Sequence, residues 1–382
     1  MAWVEAAVAV LVIGGVLSDA FEVVILPRRV RHSYRLARFY YRVAWAVWRA
    51  AARLLPGGWP RFGFLSAFGP LSLFGLLSVW AVGLIAGFAL LHSALGTALS
   101  LPPATIRNAI TYLYFSGTTF FTLGYGDVVP MGTLGRMISV GEAGIGFGFL
   151  AIVLSYVPVL YQTFSRREIT ISLLDARAGS PPTASEMLRR LTVGRSCASA
   201  RPLLVEWEHW AAELLESHVS FPVLRFYRSQ HDNQSWVAAL TTILDTSAFL
   251  IATSQDSSDH QARLTFAMAR HAAVDLGLVS QTAPLPPHSD RLPEADLVRL
   301  IALLREAGME LHEGPAAIVA LKELRELYEP FVHALADYLQ FTLPPFMAAT
   351  PTVDNWQTSP WTQRSPGLGG LPTARAASEH FH

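Results

Sequence analysis

The sequence predicts an all-α membrane protein with a large helical domain outside the bilayer. Three observations carry this. Residues 2–26, 62–95 and 133–164 form apolar stretches longer than the roughly 20 residues a helix needs to cross a bilayer. Arginines between the first two stretches recur at helical spacing. Residues 166–342 show helical periodicity and no convincing strand. The composition agrees: 52% of the 382 residues are hydrophobic and 15% charged, with a mean hydropathy of +0.34. That is too apolar for an ordinary soluble protein and too polar for membrane helices throughout. Acidic residues concentrate after residue 165, and the formal net charge is zero, which points to no nucleic-acid partner. A single cysteine, Cys197, excludes an intrachain disulfide and a cysteine-based zinc site.

Residues 2–26 lack a basic start and a small-x-small cleavage site, and Leu26-Pro27-Arg28-Arg29 follows as a stop. They read as a retained transmembrane helix. Asp19 and Glu22, near its end, read as partners of Arg28 and Arg29. Over residues 28–55, Arg28, Arg31, Arg35, Arg38, Arg42, Arg49 and Arg53 fall within about a quarter of the helix circumference. Leu36, Tyr40, Val43, Ala44, Val47, Trp48, Ala51 and Leu54 cover the other side. This pattern predicts an amphipathic helix on the inner leaflet, meeting the next helix near the membrane surface. Arg31, Arg35, Arg38, Arg42, Arg49 and Arg53 would form a basic stripe facing anionic lipid.

Pro56-Gly57-Gly58-Trp59-Pro60 breaks the chain, and residues 62–95 form a second span that Gly69-Pro70 could kink. Positive charge on the inner side of the plasma (cell inner) membrane puts the N-terminus outside and everything after residue 165 in the cytoplasm. Residues 104–119 read as a helix too short and too polar to span. The run Thr119-Phe120-Phe121-Thr122-Leu123-Gly124-Tyr125-Gly126-Asp127 follows, with glycines at alternate positions. Glycine takes φ > 0 at no steric cost, so the run suits a backbone with alternating dihedrals. Residues 133–164 form the last span, made pliable by Gly144, Gly146 and Gly148 and interrupted by Pro158, which removes a backbone donor.

The run from Thr119 to Asp127 resembles the potassium-channel selectivity filter, Thr-x-x-Thr-x-Gly-Tyr-Gly-Asp, within a bacterial-type two-transmembrane pore domain. The resemblance covers residues 62–167 and implies outer helix, re-entrant pore helix, filter and inner helix, in that order. It implies a passive channel, not an enzyme, with no cofactor and K+ as the transported ion. One filter per chain implies a homotetramer, since four loops make the ring. K+ would bind the carbonyls of Thr122, Leu123, Gly124 and Tyr125 and the Thr122 hydroxyl. Gly126, Asp127, Tyr114, Thr118 and Glu142 would support the filter. By the same resemblance Gly146 sits at a hinge position, Pro158 marks the gate, and Ala143, Phe147, Leu150 and Leu154 face the cavity.

Some positions depart from the family pattern. Thr118 stands where many members carry an acid, which leaves Glu142 as the nearest acid behind the filter. Tyr114 and Phe115 stand for a tryptophan pair, and the Tyr114 hydroxyl would bond Asp127. Leu123 stands for the usual valine, and Val129 for the aromatic that captures external tetraethylammonium. A voltage sensor of the family type needs three spans before its charged helix; here one precedes the arginines.

The remainder predicts an all-α bundle, with helices at 169–178, 184–191, 202–218, 234–254, 258–278, 294–307 and 316–341. No Gly-x-Gly-x-x-Gly follows a strand, which argues against a nucleotide-binding regulatory domain. Glu206-x-x-His209 is half of a carboxylate metal motif and reads better as a solvated helix face. The polar run at His231 reads as a helix cap, with Asp232 or Asn233 capping; a pocket for a regulatory ligand of the cytosolic domain is the alternative there. Residues 342–382 are rich in Pro, Gly, Ser and Thr and read as a disordered tail. The domains are therefore residues 1–27, 28–61, 62–165, 166–342 and 343–382. Two rivals stand beside a potassium channel: a weakly selective cation channel, and a membrane-anchored sensor with a silent pore.

Overall fold

The computed structural model describes residues 1–24, 36–102, 106–179, 181–192, 200–229, 234–253, 258–312 and 314–348. The chain divides into two compact units, Met1–Gln162 and Thr163–His382.

The first unit contains α1 (Ala2–Val24), α2 (Leu36–Ala52), α3 (Trp59–Ala94), β1 (Leu99–Ser100), α4 (Ala109–Phe120), β2 (Val129–Pro130) and the start of α5 (Thr133–Ala178). Helices α1, α3 and α5 are long and apolar enough to cross a membrane. The spine of the unit is α3. Gly83 and Gly87, four residues apart, let α1 approach closely: a Cβ there would lie 3.0 Å from Val16 Cγ2 and 2.7 Å from Ile13 Cγ1. The contacts run Ile13 to Gly87, Val16 to Gly83 and Asp19 to Trp80, so α1 is antiparallel to α3. The start of α1 therefore lies at the end of the unit where α3 finishes.

Asp19 is buried and accepts a hydrogen bond from Trp80 Nε1 at 2.8 Å. It also accepts from the Ala37 amide at 3.1 Å, where a carboxylate complements the positive end of α2. Arg28, Arg29, Arg31 and Arg35 lie outside the described residues.

Helix α2 runs alongside α3: Tyr40 reaches Gly75, Trp45 packs on Phe68, and Trp48 stacks on Phe64 at 4.3 Å. The Trp48 indole also donates to Phe64 O at 3.0 Å. The apolar side splits in two. Ala37, Tyr41 and Trp45 are buried, whereas Phe39, Val43 and Val47 are exposed. Arg42 and Arg53 are exposed, and Arg38 and Arg49 are half-buried. With 36 residues, α3 is about 54 Å long at 1.5 Å per residue, against a hydrocarbon core of about 30 Å. The excess gives α2 a protein surface to follow.

The second unit is all-α. It holds the end of α5, α6 (Ala184–Thr192), α7 (Ala200–Ser220), a 3-10 turn (Pro222–Phe226), α8 (Trp236–Thr253), α9 (Ser258–Ser280), α10 (Glu294–Glu306), α11 (Pro315–Glu326) and α12 (Glu329–Leu339). Its centre is α8, apolar enough to span but 89% buried inside the structure. Thr241, Thr242, Thr246 and Thr253 make this burial possible, each bonding the carbonyl four residues back. Trp207, Trp236, Phe249 and Tyr328 are fully buried.

Four further boundaries differ from the sequence reading. The last span does not end at residue 164: α5 is continuous to Ala178 and absorbs the helix placed at 169–178. The helix at 316–341 is two helices, because Pro330 cannot donate into a preceding turn. The short helix before the glycine run starts at Ala109, not residue 104, because Asn108 caps it by accepting from the Thr111 amide at 3.0 Å. The first residues of the tail are folded: Phe346 is fully buried, its carbonyl accepts from the Ser185 amide, and Pro344 O accepts from Arg291. Residues 349–382 and the run His231-Asp232-Asn233 lie outside the described residues.

Candidate functional site

The site is framed at the end of α3. Antiparallel pairing of β1 with β2 sets Leu99 opposite Pro130 and Ser100 opposite Val129. It joins the segment before α4 to the segment after the glycine run. Beneath it Ala89, Leu99, Tyr112, Phe115 and Val128 pack together. Tyr112 Oη donates to Thr97 O at 3.0 Å.

The run itself grows from the C-terminus of α4. The Thr122 amide donates to Thr119 O at 3.0 Å and the Leu123 amide to Thr118 O at 2.8 Å. Thr118 thus supports the run through its carbonyl; its hydroxyl bonds back to Phe115 O at 2.9 Å. Beyond the helix, φ is +56° at Thr122, +57° at Gly124 and +78° at Gly126, whereas Leu123 and Tyr125 keep negative φ. Alternation of left- and right-handed residues turns successive carbonyls to the same side of the strand. The glycines adopt it freely. Thr122 holds it at a cost of about 1–3 kcal/mol, a feature the sequence reading missed. The side chains of Leu123 and Tyr125 stand exposed in the single chain.

The structure brings Tyr114 and Asp127 together: Tyr114 Oη donates to Asp127 Oδ2 at 2.9 Å. Asp127 Oδ1 accepts from the Val128 amide at 3.0 Å, which fixes the exit from the run. Glu142 reaches the α4 side of the same region. It is fully buried, accepts a short hydrogen bond from Ser116 Oγ, and has His92 Nε2 3.5 Å from its other oxygen. Ser116 and His92 carry no motif and are far from Glu142 in the chain, so the sequence alone does not point to them.

Gly146 lies against the end of α4. A Cβ there would fall 1.9 Å from Phe120 O, a backbone atom, while Gly144 and Gly148 face open space. Helix α5 runs unbroken through Gly146 and Pro158. Phe147, Leu150 and Leu154 are 69%, 54% and 66% exposed, on one face of α5, with Ala143 half-buried. A groove of about 260 Å³ opens between α3 and α5 at Thr122, bounded by Phe74, Ser78, Phe121, Phe147 and Leu150. Among the described residues no group of three or more His, Cys, Asp or Glu could hold a metal ion, and Glu206 pairs with Arg177 at 2.6 Å.

Residues 78–162 match the protein family described as Ion channel. Over these residues the chain is similar to ion channels. The matched segment begins within α3 and ends at the last residue of the first unit, so it contains α4, the glycine run, Glu142 and Gly146. The chain is 26% identical over 278 residues to the uncharacterized membrane protein YdjJ of Bacillus subtilis (strain 168), covering 71% of this chain and 78% of the relative. It is 32% identical over 85 residues to Protein LctB of Bacillus caldotenax, which is 20% of this chain and 63% of that protein. The match to Protein LctB of Geobacillus stearothermophilus is 31% over 85 residues. No solved structure matches the chain. The likeness to YdjJ is thus far longer than the matched segment alone.

Proposed function

We propose that four copies of the chain assemble into a potassium-selective channel in the plasma membrane, with the second unit cytoplasmic and the N-terminus outside. The observation that carries this reading is the alternation of positive φ at Thr122, Gly124 and Gly126. Four such strands around one axis would offer rings of carbonyls from Thr122, Leu123, Gly124 and Tyr125, and the Thr122 hydroxyl, in place of the water around K+. The exposed faces of Leu123, Tyr125, Phe147, Leu150 and Leu154 are surfaces that neighbouring copies or a central cavity would meet. Tyr114 and Asp127 would hold the outer end, and Glu142 would hold the pore helix from behind. Pro158 and the end of α5 would form the gate, and the second unit would regulate it.

The test is flux through the full chain in liposomes, with reversal potentials under potassium and sodium gradients. Gly126→Ala places a Cβ at φ +78°, which costs about 1–2 kcal/mol in each copy. Potassium preference should be lost. Preference retained in Gly126→Ala would defeat the filter assignment. Flux of both ions in the wild type would indicate a weakly selective channel, and no flux a silent pore.

A further inference from the structure

Arg167 lies five residues beyond Gln162, on the part of α5 that belongs to the second unit, and it is 5% exposed. Its guanidinium donates to Leu224 O at 3.1 Å and Tyr227 O at 2.8 Å, both in or next to the 3-10 turn. It packs 5.2 Å from the centroid of the Phe164 ring. Nη1 also lies 3.2 Å from Nε2 of His218 on α7, which is 1% exposed. A guanidinium can only donate, so His218 Nε2 accepts. The other ring nitrogen, Nδ1, lies 2.8 Å from Leu214 O, which can only accept, so Nδ1 carries the proton. The partners therefore fix a neutral imidazole of one tautomer.

We propose that Arg167 and His218 form a proton-operated clamp on the cytoplasmic end of the inner helix, through which acidification changes channel activity. This rests on the channel reading given above. A proton on Nε2 sets donor against donor and cation against cation at 3.2 Å. The groups facing His218 are Arg167 and, beside it, Glu168 on α5; Arg225 in the 3-10 turn; and the Trp236 ring on α8. Its own helix adds the Ser217 hydroxyl. Tyr227, whose carbonyl receives Arg167, has its phenol pushed up to about 12 by burial and stays neutral. Burial first, then the charge of Arg167, holds His218 well below the ordinary imidazole value of 6.5 while the clamp is closed.

The sign follows. A released His218 binds a proton below about pH 6.5 and the clamped one does not, so the clamp loses stability as pH falls below that value. Between pH 7.5 and 5.5 the equilibrium for release should rise about tenfold.

Two measurements on the full chain in liposomes test the proposal. Potassium flux at symmetrical pH 7.5 and 5.5 should differ at least about threefold in the wild type, given that tenfold shift. His218→Gln keeps an acceptor for Arg167 that cannot become a cation, and its flux should be the same at both pH values. Hydrogen exchange at residues 164–167 and 223–228, corrected for intrinsic rate, should quicken at pH 5.5 in the wild type only. Exchange that responds in a protein without flux would sink the channel reading and leave the clamp standing. Wild-type exchange that stays flat, or an equal pH response in His218→Gln, overturns the clamp. Should His218→Gln fail to fold, wild-type exchange alone still decides.

Discussion

Thr122 is the residue at which backbone strain and chemistry meet. A β-branched residue with φ +56° is a true outlier, and here it sits between two amides anchored on α4 and two glycines of the same handedness. The residue just outside the run is equally telling. Val128 turns into the core beneath the β-pair, and Val129 turns outward. If Val129 rings the outer mouth in a tetramer, external tetraethylammonium meets no aromatic face. Each favourable cation–π contact of about 0.5–2 kcal/mol is then absent, and block should be weak. Val129→Tyr should increase block of potassium current by external tetraethylammonium; equal affinity in both proteins would mean that residue 129 does not line the mouth. At this scale the sequence was legible where function resides in residue type. Gly124 and Gly126 could be named from their alternate spacing, and Tyr114 and Asp127 from the resemblance to the channel filter. Ser116, His92 and Glu142 meet only through the packing of three helices, and nothing local announces it.

Among the elements, α5 and α2 carry the sharpest expectations. Gly146 reads as a hinge by resemblance, but its place is also explained by packing, since a Cβ would collide with the Phe120 carbonyl. Backbone cannot move aside as a side chain can. Gly146→Ala should cost about 1–3 kcal/mol per copy and displace the end of α4, with loss of potassium flux. Gly144→Ala and Gly148→Ala, which meet open space, should leave flux within about twofold. Equal losses at all three positions would favour bending over packing. For α2, the arginine flank should respond to lipid charge, each basic residue near the surface contributing about 1 kcal/mol. Arg38→Gln with Arg42→Gln should reduce the dependence of flux on anionic lipid and leave selectivity unchanged. A wild type indifferent to lipid charge would remove the basis for that role. Helix existence was legible from periodicity almost throughout. What periodicity could not supply was partnership: it showed one apolar side on α2, whereas tertiary contact divides that side between α3 and open surface. Nor does it register the backbone donor missing at Pro330 or a Phe346 that finds a core.

For the whole molecule, the division at Gln162 predicts two unfolding events. The second unit is held by a buried charge cluster that the first does not share. Asp245, on the central helix α8, is fully buried and meets Arg291 at 2.5 and 3.1 Å. It also accepts from Tyr328 Oη at 2.5 Å. Arg291 continues to Glu329 at 3.4 Å and to Pro344 O at 2.8 Å, so the cluster ties α8, α12 and the folded start of the tail together. Burial would push Arg291 down, but Asp245, then Tyr328 and Glu329, outweigh it and keep the cation above its ordinary range. Burial and the Asp245 charge drive the Tyr328 phenol far above the usual tyrosine value. Arg291 therefore stays a cation and Tyr328 a neutral phenol through the neutral range. Asp245→Ala would leave Arg291 buried without its nearer counter-charge, with Glu329 alone at 3.4 Å, at a cost of about 3–5 kcal/mol. Replacing both partners, Asp245→Leu with Arg291→Met, should recover much of that loss, because the desolvation cost goes with the charges. Calorimetry of the full chain in detergent should show two transitions, with Asp245→Ala lowering one and leaving the other in place. A single transition that moves as a whole would mean that the two units unfold together.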